Sequence, residues 1–314
     1  MRILFTGASS FTGTWFVRAL AAAGHDVTAT FRQEPGSYAD EPRRSRVALA
    51  GRSCRPVHGT SFGDERFLAL AREGPWDLLA HHAADVTNYK SADFDALGAV
   101  QVNARNLSRV LEALAGAGCR RVLLTGSVFE AGEGSGSQGL PDFSPYGLSK
   151  ALTAQVFRYY CGRAGMSLGK FVIPNPFGPW EEPRYTTYLL KTWLAGGTAT
   201  CASPSYVRDN IHVSLLAKAY ARFAAALPAE AGFARLNPSG YAESQGAFTL
   251  RLAGEMRQRL GLPCAVELKR QTEFPEPRVR INTDIPDAGA LGWDEAAAWD
   301  EMAAWYRESF GRRG

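Results

Sequence analysis

The first thirty residues constrain the fold more than any other part of the chain. RILFT (2–6) is a short apolar run that stops at Gly7. A helical pattern follows, with Phe16, Leu20 and Ala23 on one face, and Gly24 stands where a left-handed C-terminal cap belongs. DVTATF (26–31) then reads as a second strand. A β-α-β unit of this size opens an α/β fold, a Rossmann-type doubly wound parallel sheet.

The alternation continues. Strands are expected at 54–58, at DLLAH (77–81), at RRVLLTG (120–126) and at SLGKFVI (167–173). Helices are expected at 64–73 and, as one long element, at about 92–117, with Val100, Leu107, Leu111 and Leu114 on one face. A further helix starts at Ser144 as N-cap and Pro145 as first helical residue, and runs through Leu152, Val156 and Tyr160. Strands alternating with helices call for parallel pairing and right-handed crossovers. PNPFGPWEEP (174–183) carries four prolines and is an irregular connection. Beyond it, 184–195, 213–227, 244–260 and 295–308 read as helices. The expected division is a nucleotide lobe at 1–173, with some later chain returning to it, and a smaller, mainly substrate-binding lobe at 174–314.

Composition narrows the class. The 314 residues are 46% hydrophobic and 21% charged, which excludes a disordered chain, a collagen-like chain and a disulfide scaffold. Thirty-five basic against 31 acidic residues is too weak an excess to indicate nucleic-acid binding. The five cysteines form no CxxC pair and are odd in number, so they read as reduced thiols, and no metal-ligand set stands out. No apolar run approaches the roughly 18 residues that span a bilayer. The fold begins at residue 2, which leaves no leader in view, and a cytoplasmic protein is expected.

TGASSFTG (6–13) puts glycines at 7 and 13 after a strand and at the opening of a helix. Backbone N–H groups there suit a dinucleotide pyrophosphate, which assigns Gly7, Ser9, Ser10, Phe11, Thr12 and Gly13 to the cofactor; an ordinary βα turn is the bland alternative. The second strand ends Thr30, Phe31, Arg32, with no carboxylate before Glu34. A carboxylate would take the ribose 2′-OH of NAD, whereas Arg32 suits the 2′-phosphate of NADP, so NADP(H) is favoured and NAD stays possible. YGLSK (146–150) places Tyr146 and Lys150 on one helical face. An ammonium favours the phenolate of a neighbouring tyrosine, which equips Tyr146 for proton transfer. Ser127 follows a strand at the carboxyl edge of the sheet, where ligands bind in such folds.

Together these residues resemble the extended short-chain dehydrogenases/reductases, of the NAD-dependent epimerase/dehydratase type that acts on nucleotide sugars. The resemblance is carried by TGASSFTG, HHAAD (81–85), Asn103 in VNARNL, TGSVFE (125–130), YGLSK, NPFGP (175–179) and RDNIHV (208–213). It implies Tyr146 as acid/base, Lys150 as its partner and a ribose ligand, and Ser127 as the hydroxyl that orients substrate. It also implies that His81 and Ala83 lie by the cofactor, and that Asn175, Arg208 and, more weakly, Arg278 meet the diphosphate of a nucleotide sugar. Asn103 is expected inside the long helix, without a catalytic role.

The chain departs from the family pattern at four places. Ser10 replaces the middle glycine of the turn. Phe31 and Arg32 replace the NAD-selecting acid. The aspartate usual after the third strand has no clear counterpart, since Thr60 falls there and Asp64 comes later. Val128 and Phe129, not an Asp-Glu pair, follow Ser127, which disfavours dehydration unless Glu130 serves. The expected activity is therefore a nucleotide-sugar 4-ketoreductase using NADPH. The rivals are a nucleotide-sugar 4-epimerase with tightly held NAD, a reductase of aromatic or terpenoid ketones, and a non-catalytic NADP-binding sensor. The resemblance further implies a homodimer through helices at about 92–117 and 145–163, with Val156, Phe157 and Tyr160 on the apolar face. AGEGSGSQG (131–139) is expected to be a loop, and a lid over the sugar or an idle surface segment.

Overall fold

A computed structural model describes residues 1–136 and 139–311. In chain order the elements are β1 (Arg2–Thr6), α1 (Phe11–Ala22), β2 (Asp26–Thr30), α2 (Glu41–Gly51), β3 (Arg55–Val57), α3 (Glu65–Arg72), β4 (Leu78–His81), α4 (Ala96–Asn103), α5 (Leu107–Gly116), β5 (Arg121–Ser127), α6 (Pro145–Arg163) and β6 (Ser167–Ile173). They continue with β7 (Asn175–Phe177), α7 (Tyr185–Leu194), β8 (Ala199–Cys201), β9 (Val207–His212), α8 (Val213–Ala226), β10 (Gly232–Leu236), β11 (Tyr241–Ser244), α9 (Gln245–Leu260), β12 (Val266–Leu268), β13 (Val279–Arg280) and α10 (Glu295–Phe310).

The chain divides into two compact units. The first comprises 1–133, 140–173 and 217–237. Its sheet has seven strands in the order β10-β6-β5-β4-β1-β2-β3, all paired in parallel. Near-continuous apolar strands such as LLAH and RVLL are what a sheet covered on both faces requires. On one face, Leu79, Val122, Leu124 and Leu168 pack against Phe67, Leu111, Leu114 and Phe157. On the other, Phe16 stacks on Tyr220 at 4.0 Å, with Phe5 and Phe171 meeting the same tyrosine edge-on. This is the doubly wound α/β fold.

The second unit comprises 134–139, 174–216 and 238–314. Among its described residues, β7, β9, β11 and β13 form a four-stranded sheet, and β8 pairs with β12. Phe177, Leu189, Trp193, Phe248, Met256, Trp299 and Tyr306 belong to its core. Residues 137 and 138 of the glycine- and serine-rich segment lie outside the described residues. Ser135, within that segment, makes an antiparallel bridge to Ile281.

Four expectations change. Residues 41–51 form a helix, α2, that the sequence reading passed over. The long helix at 92–117 is two helices, because the Asn103 carbonyl accepts the His81 Nε2–H (3.0 Å) and Asn106 takes a left-handed φ of 51° while its side chain donates to Gly63 O (2.8 Å). Asn103 is thus the last residue of α4, not a mid-helix residue. Phe157 is fully buried in the first unit's core and cannot lie on an outer dimer face. Among the described residues, the C-terminal half holds seven short strands, β7 to β13, that the helix-period reading passed over.

Candidate active site

The phosphate turn is built by β1 and α1. Gly7 has φ +85°, and a Cβ there would lie 2.7 Å from Ala83 N. A Cβ on Gly13 would lie 2.2 Å from Gly7 O, so both positions admit only glycine. Ser10 is the N-cap of α1: its Oγ accepts the Gly13 N–H (3.1 Å) and donates to Gly7 O (2.9 Å). The N–H groups of Phe11 and Thr12, in the first turn, have no intrahelical partner by helix geometry. Two amides at a positive helix end and a backbone that only glycine permits form a cradle that fits a pyrophosphate.

Around the turn, sequence reading missed two residues. Arg46 on α2 is fully buried and its Nε donates to Ser9 O (3.1 Å). Its only sequence signal was an arginine on the apolar stripe with Val47 and Ala50. His82 is the other. Its Nε2 lies 3.0 Å from both Ser10 Oγ and Thr12 Oγ1, and its Nδ1 lies 3.0 Å from Thr125 Oγ1. His81, read from the sequence as near the cofactor and packed beneath the site, is enclosed, with Thr6 Oγ1 on Nδ1 and Asn103 O on Nε2, both at 3.0 Å. Burial pushes both imidazoles down to about 3, so both are neutral. Ala83 N–H donates to Thr6 Oγ1 (3.1 Å), which holds the end of β4 against β1.

At the end of β2, Phe31 is buried and stacks on His58 at 5.0 Å. Arg32 beside it is exposed. Thr60 N–H donates to Phe31 O (3.0 Å), and Asp64 is occupied as the N-cap of α3, accepting from Phe67 N (2.7 Å).

The candidate reacting groups are set by β5 and α6. Ser127 Oγ accepts the Phe129 N–H (3.2 Å), which leaves its hydroxyl proton for an oxygen acceptor. Gly147 comes so near that a Cβ would lie 2.2 Å from Phe129 O. Phe143 N–H also bonds that carbonyl (2.9 Å), and Phe143 stacks on Phe129 at 4.6 Å. These contacts draw the start of α6, with Tyr146, to the segment that follows Ser127. The half-buried Tyr146 ring packs against Tyr89 (5.3 Å) and Phe94 (6.0 Å). One turn on, buried Lys150 donates to Thr125 O (2.5 Å). Burial lowers its ammonium to about 8, with Glu130 opposing the fall and Lys170 adding to it.

Beneath Ser127 lies a buried charge cluster. Glu130 is fully buried, accepts the Ser127 N–H (2.7 Å) and pairs with Lys170 (2.5 Å). Lys170 also pairs with Glu133 (2.8 Å), which accepts from Asn237 (2.8 Å). Glu130 is therefore committed to structure.

The second unit carries the other candidates. Asn175 donates to Asp209 O (3.1 Å) across the β7–β9 pair. Arg208 pairs with Glu276 (2.9 Å) and donates to Pro277 O (3.0 Å) and Arg278 O (3.3 Å). Arg208 and Arg278 thus lie on neighbouring segments, the first over Tyr206 and the second, exposed, over Phe274.

Residues 3–258 match the NAD dependent epimerase/dehydratase family, and the chain belongs to that family. No curated protein matches it. Among solved structures, UDP-glucose 4-epimerase from Thermotoga maritima, with UDP-glucose, is similar over 98% of this chain and 99% of that one, with a TM-score of 0.73 and 18% identity. UDP-glucuronic acid 4-epimerase from Bacillus cereus, with UDP-glucuronic acid and NAD, covers 98% and 100%, with a TM-score of 0.73 and 16% identity. UDP-glucose 4-epimerase from Thermus thermophilus, with NAD, covers 98% and 99%, with a TM-score of 0.70 and 20% identity. At such identities the likeness is one of fold.

Proposed function

We propose that the chain is an NADP(H)-using 4-ketoreductase of a nucleotide sugar. The observation that carries this reading is the end of β2, where buried Phe31 stands in place of a 2′-OH-binding carboxylate and exposed Arg32 stands beside it. The turn of Gly7, Ser9, Ser10, Phe11, Thr12 and Gly13 cradles the pyrophosphate, with the Phe11 and Thr12 amides as its donors, and Arg32 takes the 2′-phosphate. The bound dinucleotide supplies hydride-transfer chemistry at its nicotinamide ring. Ser127 gives a hydrogen bond to the keto oxygen, and Tyr146 protonates that oxygen as it gains charge. Lys150, one helical turn away, favours the phenolate that remains. Asn175 and Arg208 bind the diphosphate, with Arg278 nearby; Arg208 exchanges Glu276 for phosphate oxygens.

Dehydration lacks its acid, because Glu130 is spent on Lys170 and Ser127. A second reading, a 4-epimerase holding NAD, is favoured by the epimerase neighbours. Mass spectrometry of the dinucleotide released on denaturation separates them. Exchangeable NADP(H), or an empty chain that turns over 4-keto nucleotide sugars with NADPH, supports the reductase. One NAD per chain overturns it in favour of the epimerase.

The chain is further proposed to form a homodimer through α4 and α6. Leu97 and Val102 on α4, and Leu148, Tyr159 and Tyr160 on α6, are exposed large apolar side chains. A light-scattering mass equal to that of one chain would remove the dimer.

A further inference from the structure

We propose that His82 is a positioning residue for the dinucleotide: with Ser10 it forms one unit that does the work of the missing middle glycine by tying the phosphate turn to β5. The proposal rests on the cofactor reading of the turn given above.

Ser10 occupies a place where a side chain would otherwise be free to point at a ligand. Its single hydroxyl proton goes to Gly7 O (2.9 Å), and the oxygen accepts the Gly13 N–H (3.1 Å). The bond to His82 Nε2 (3.0 Å) must then be donated by the imidazole. That assignment fixes the tautomer. Nε2 carries the proton toward Ser10 and Thr12, and Nδ1 accepts from Thr125 Oγ1 (3.0 Å). A neutral imidazole offers one donor and one acceptor on opposite sides of one rigid ring, which is what this bridge needs. Phe16 meets the ring edge-on at 5.1 Å and Phe5 lies at 6.0 Å, so two aromatic rings pack against the imidazole. Packing is tight enough that a Cβ on Gly13 would lie 2.7 Å from Ser10 Oγ and 2.9 Å from His82 Cδ2.

The bridge does two things. It holds the Ser10 hydroxyl away from the space above the turn, so the Phe11 and Thr12 amides remain the groups presented to a pyrophosphate. It also anchors the turn to Thr125, whose carbonyl accepts the Lys150 ammonium (2.5 Å). The turn and β5, the strand that ends in Ser127 and accepts the Lys150 ammonium, are thereby held in register by three side chains. Leucine at 82 fills the volume but offers neither bond, and a glutamine restores a donor and an acceptor on a looser frame.

The test is a set of binding measurements on the full chain, using calorimetry for NADP⁺, NAD⁺ and ADP-ribose and ligand-observed NMR for adenosine, which has no phosphate. For His82→Leu, ADP-ribose and the preferred dinucleotide are expected to bind ten- to a hundredfold more weakly, while adenosine changes less than threefold. His82→Gln is expected to recover part of the loss. In the Ser10→Gly background, His82→Leu is expected to cost at least fivefold less than in the wild-type chain, since the two residues act together. Unchanged dinucleotide affinity in His82→Leu overturns the proposal, as does an equal loss of adenosine binding, which would mean general collapse. Additive effects in the Ser10 and His82 cycle overturn the paired role. A wild-type chain that binds neither dinucleotide nor ADP-ribose overturns the cofactor reading itself, and this inference with it.

Discussion

Single side chains decide the chemistry here, and two can be tested by substitution. Tyr146 carries the proton in the proposed reaction, and its ring is held by Tyr89 and Phe94 whether or not the hydroxyl is present. Tyr146→Phe is therefore expected to lower kcat by about 10²- to 10⁴-fold, the usual contribution of a positioned acid, with dinucleotide affinity unchanged. Steady-state rates beside a binding titration check this; retained turnover would point to another acid. Glu130 sits at the opposite extreme, a fully buried charge with no solvent to fall back on. Breaking a buried pair leaves the partner uncompensated and costs roughly 3–5 kcal/mol. Lys170 keeps Glu133, so Glu130→Gln should cost about 3 kcal/mol in a urea titration. The Glu130→Gln, Lys170→Met double variant should lose less than the sum of the two single changes. Tyr146, Lys150 and Ser127 were legible in sequence because spacing and strand ends mark them. His82, Arg46 and the Lys170 cluster were not, because their meaning lies in partners 37 to 72 residues away.

At the scale of elements, periodicity read most helices but passed over α2, and it read interruptions poorly. SLGKFVI is a strand with the bounds expected, and α6 starts on Ser144, whose Oγ accepts from Gly147 N (3.2 Å). The join between α4 and α5 was invisible, since apolar spacing continues across it. What stops the helix is tertiary: the Asn103 carbonyl is taken by His81, and the Asn103 side chain accepts from Asp85 N (2.8 Å) and donates to Thr153 (3.3 Å). Asn103→Leu should thus lower the thermal midpoint, because Asp85 N–H loses its acceptor in a half-buried place and Thr153 loses a donor. A cost of about 1–3 kcal/mol is expected, and a neutral outcome would show that water replaces the asparagine. Gly147→Ala tests the other junction. Its added methyl would meet the Phe129 carbonyl, so α6 must shift and carry Tyr146 with it. The expected readout is a fall in kcat larger than any fall in stability, seen by pairing rates with urea midpoints.

Over the whole molecule, the parallel sheet was readable because buried strands alternate with amphipathic helices. The second unit was not, because strands of two to six residues leave no period to detect. A whole-molecule property does follow from its buried titratable groups. Burial holds His81, His82 and His212 neutral, each down to about 3 from an ordinary 6.5. Unfolding at pH 5 to 6 lets all three take up protons. Buried Glu181 works the other way: burial raises it to about 7 from 4.5, so it holds a proton when folded and releases it on unfolding in the same window. From these four groups the unfolded chain binds about two more protons, so stability falls as pH falls, by roughly 2–3 kcal/mol per unit between pH 6 and 5. Above pH 7 the histidine and Glu181 contributions level off. Urea midpoints at pH 7.5, 6.0, 5.5 and 5.0 measure the slope, and His212→Asn should reduce it by about 1.4 kcal/mol per unit. A midpoint unchanged between pH 7.5 and 5.0 would mean that at least two of the imidazoles are open to water in the folded chain.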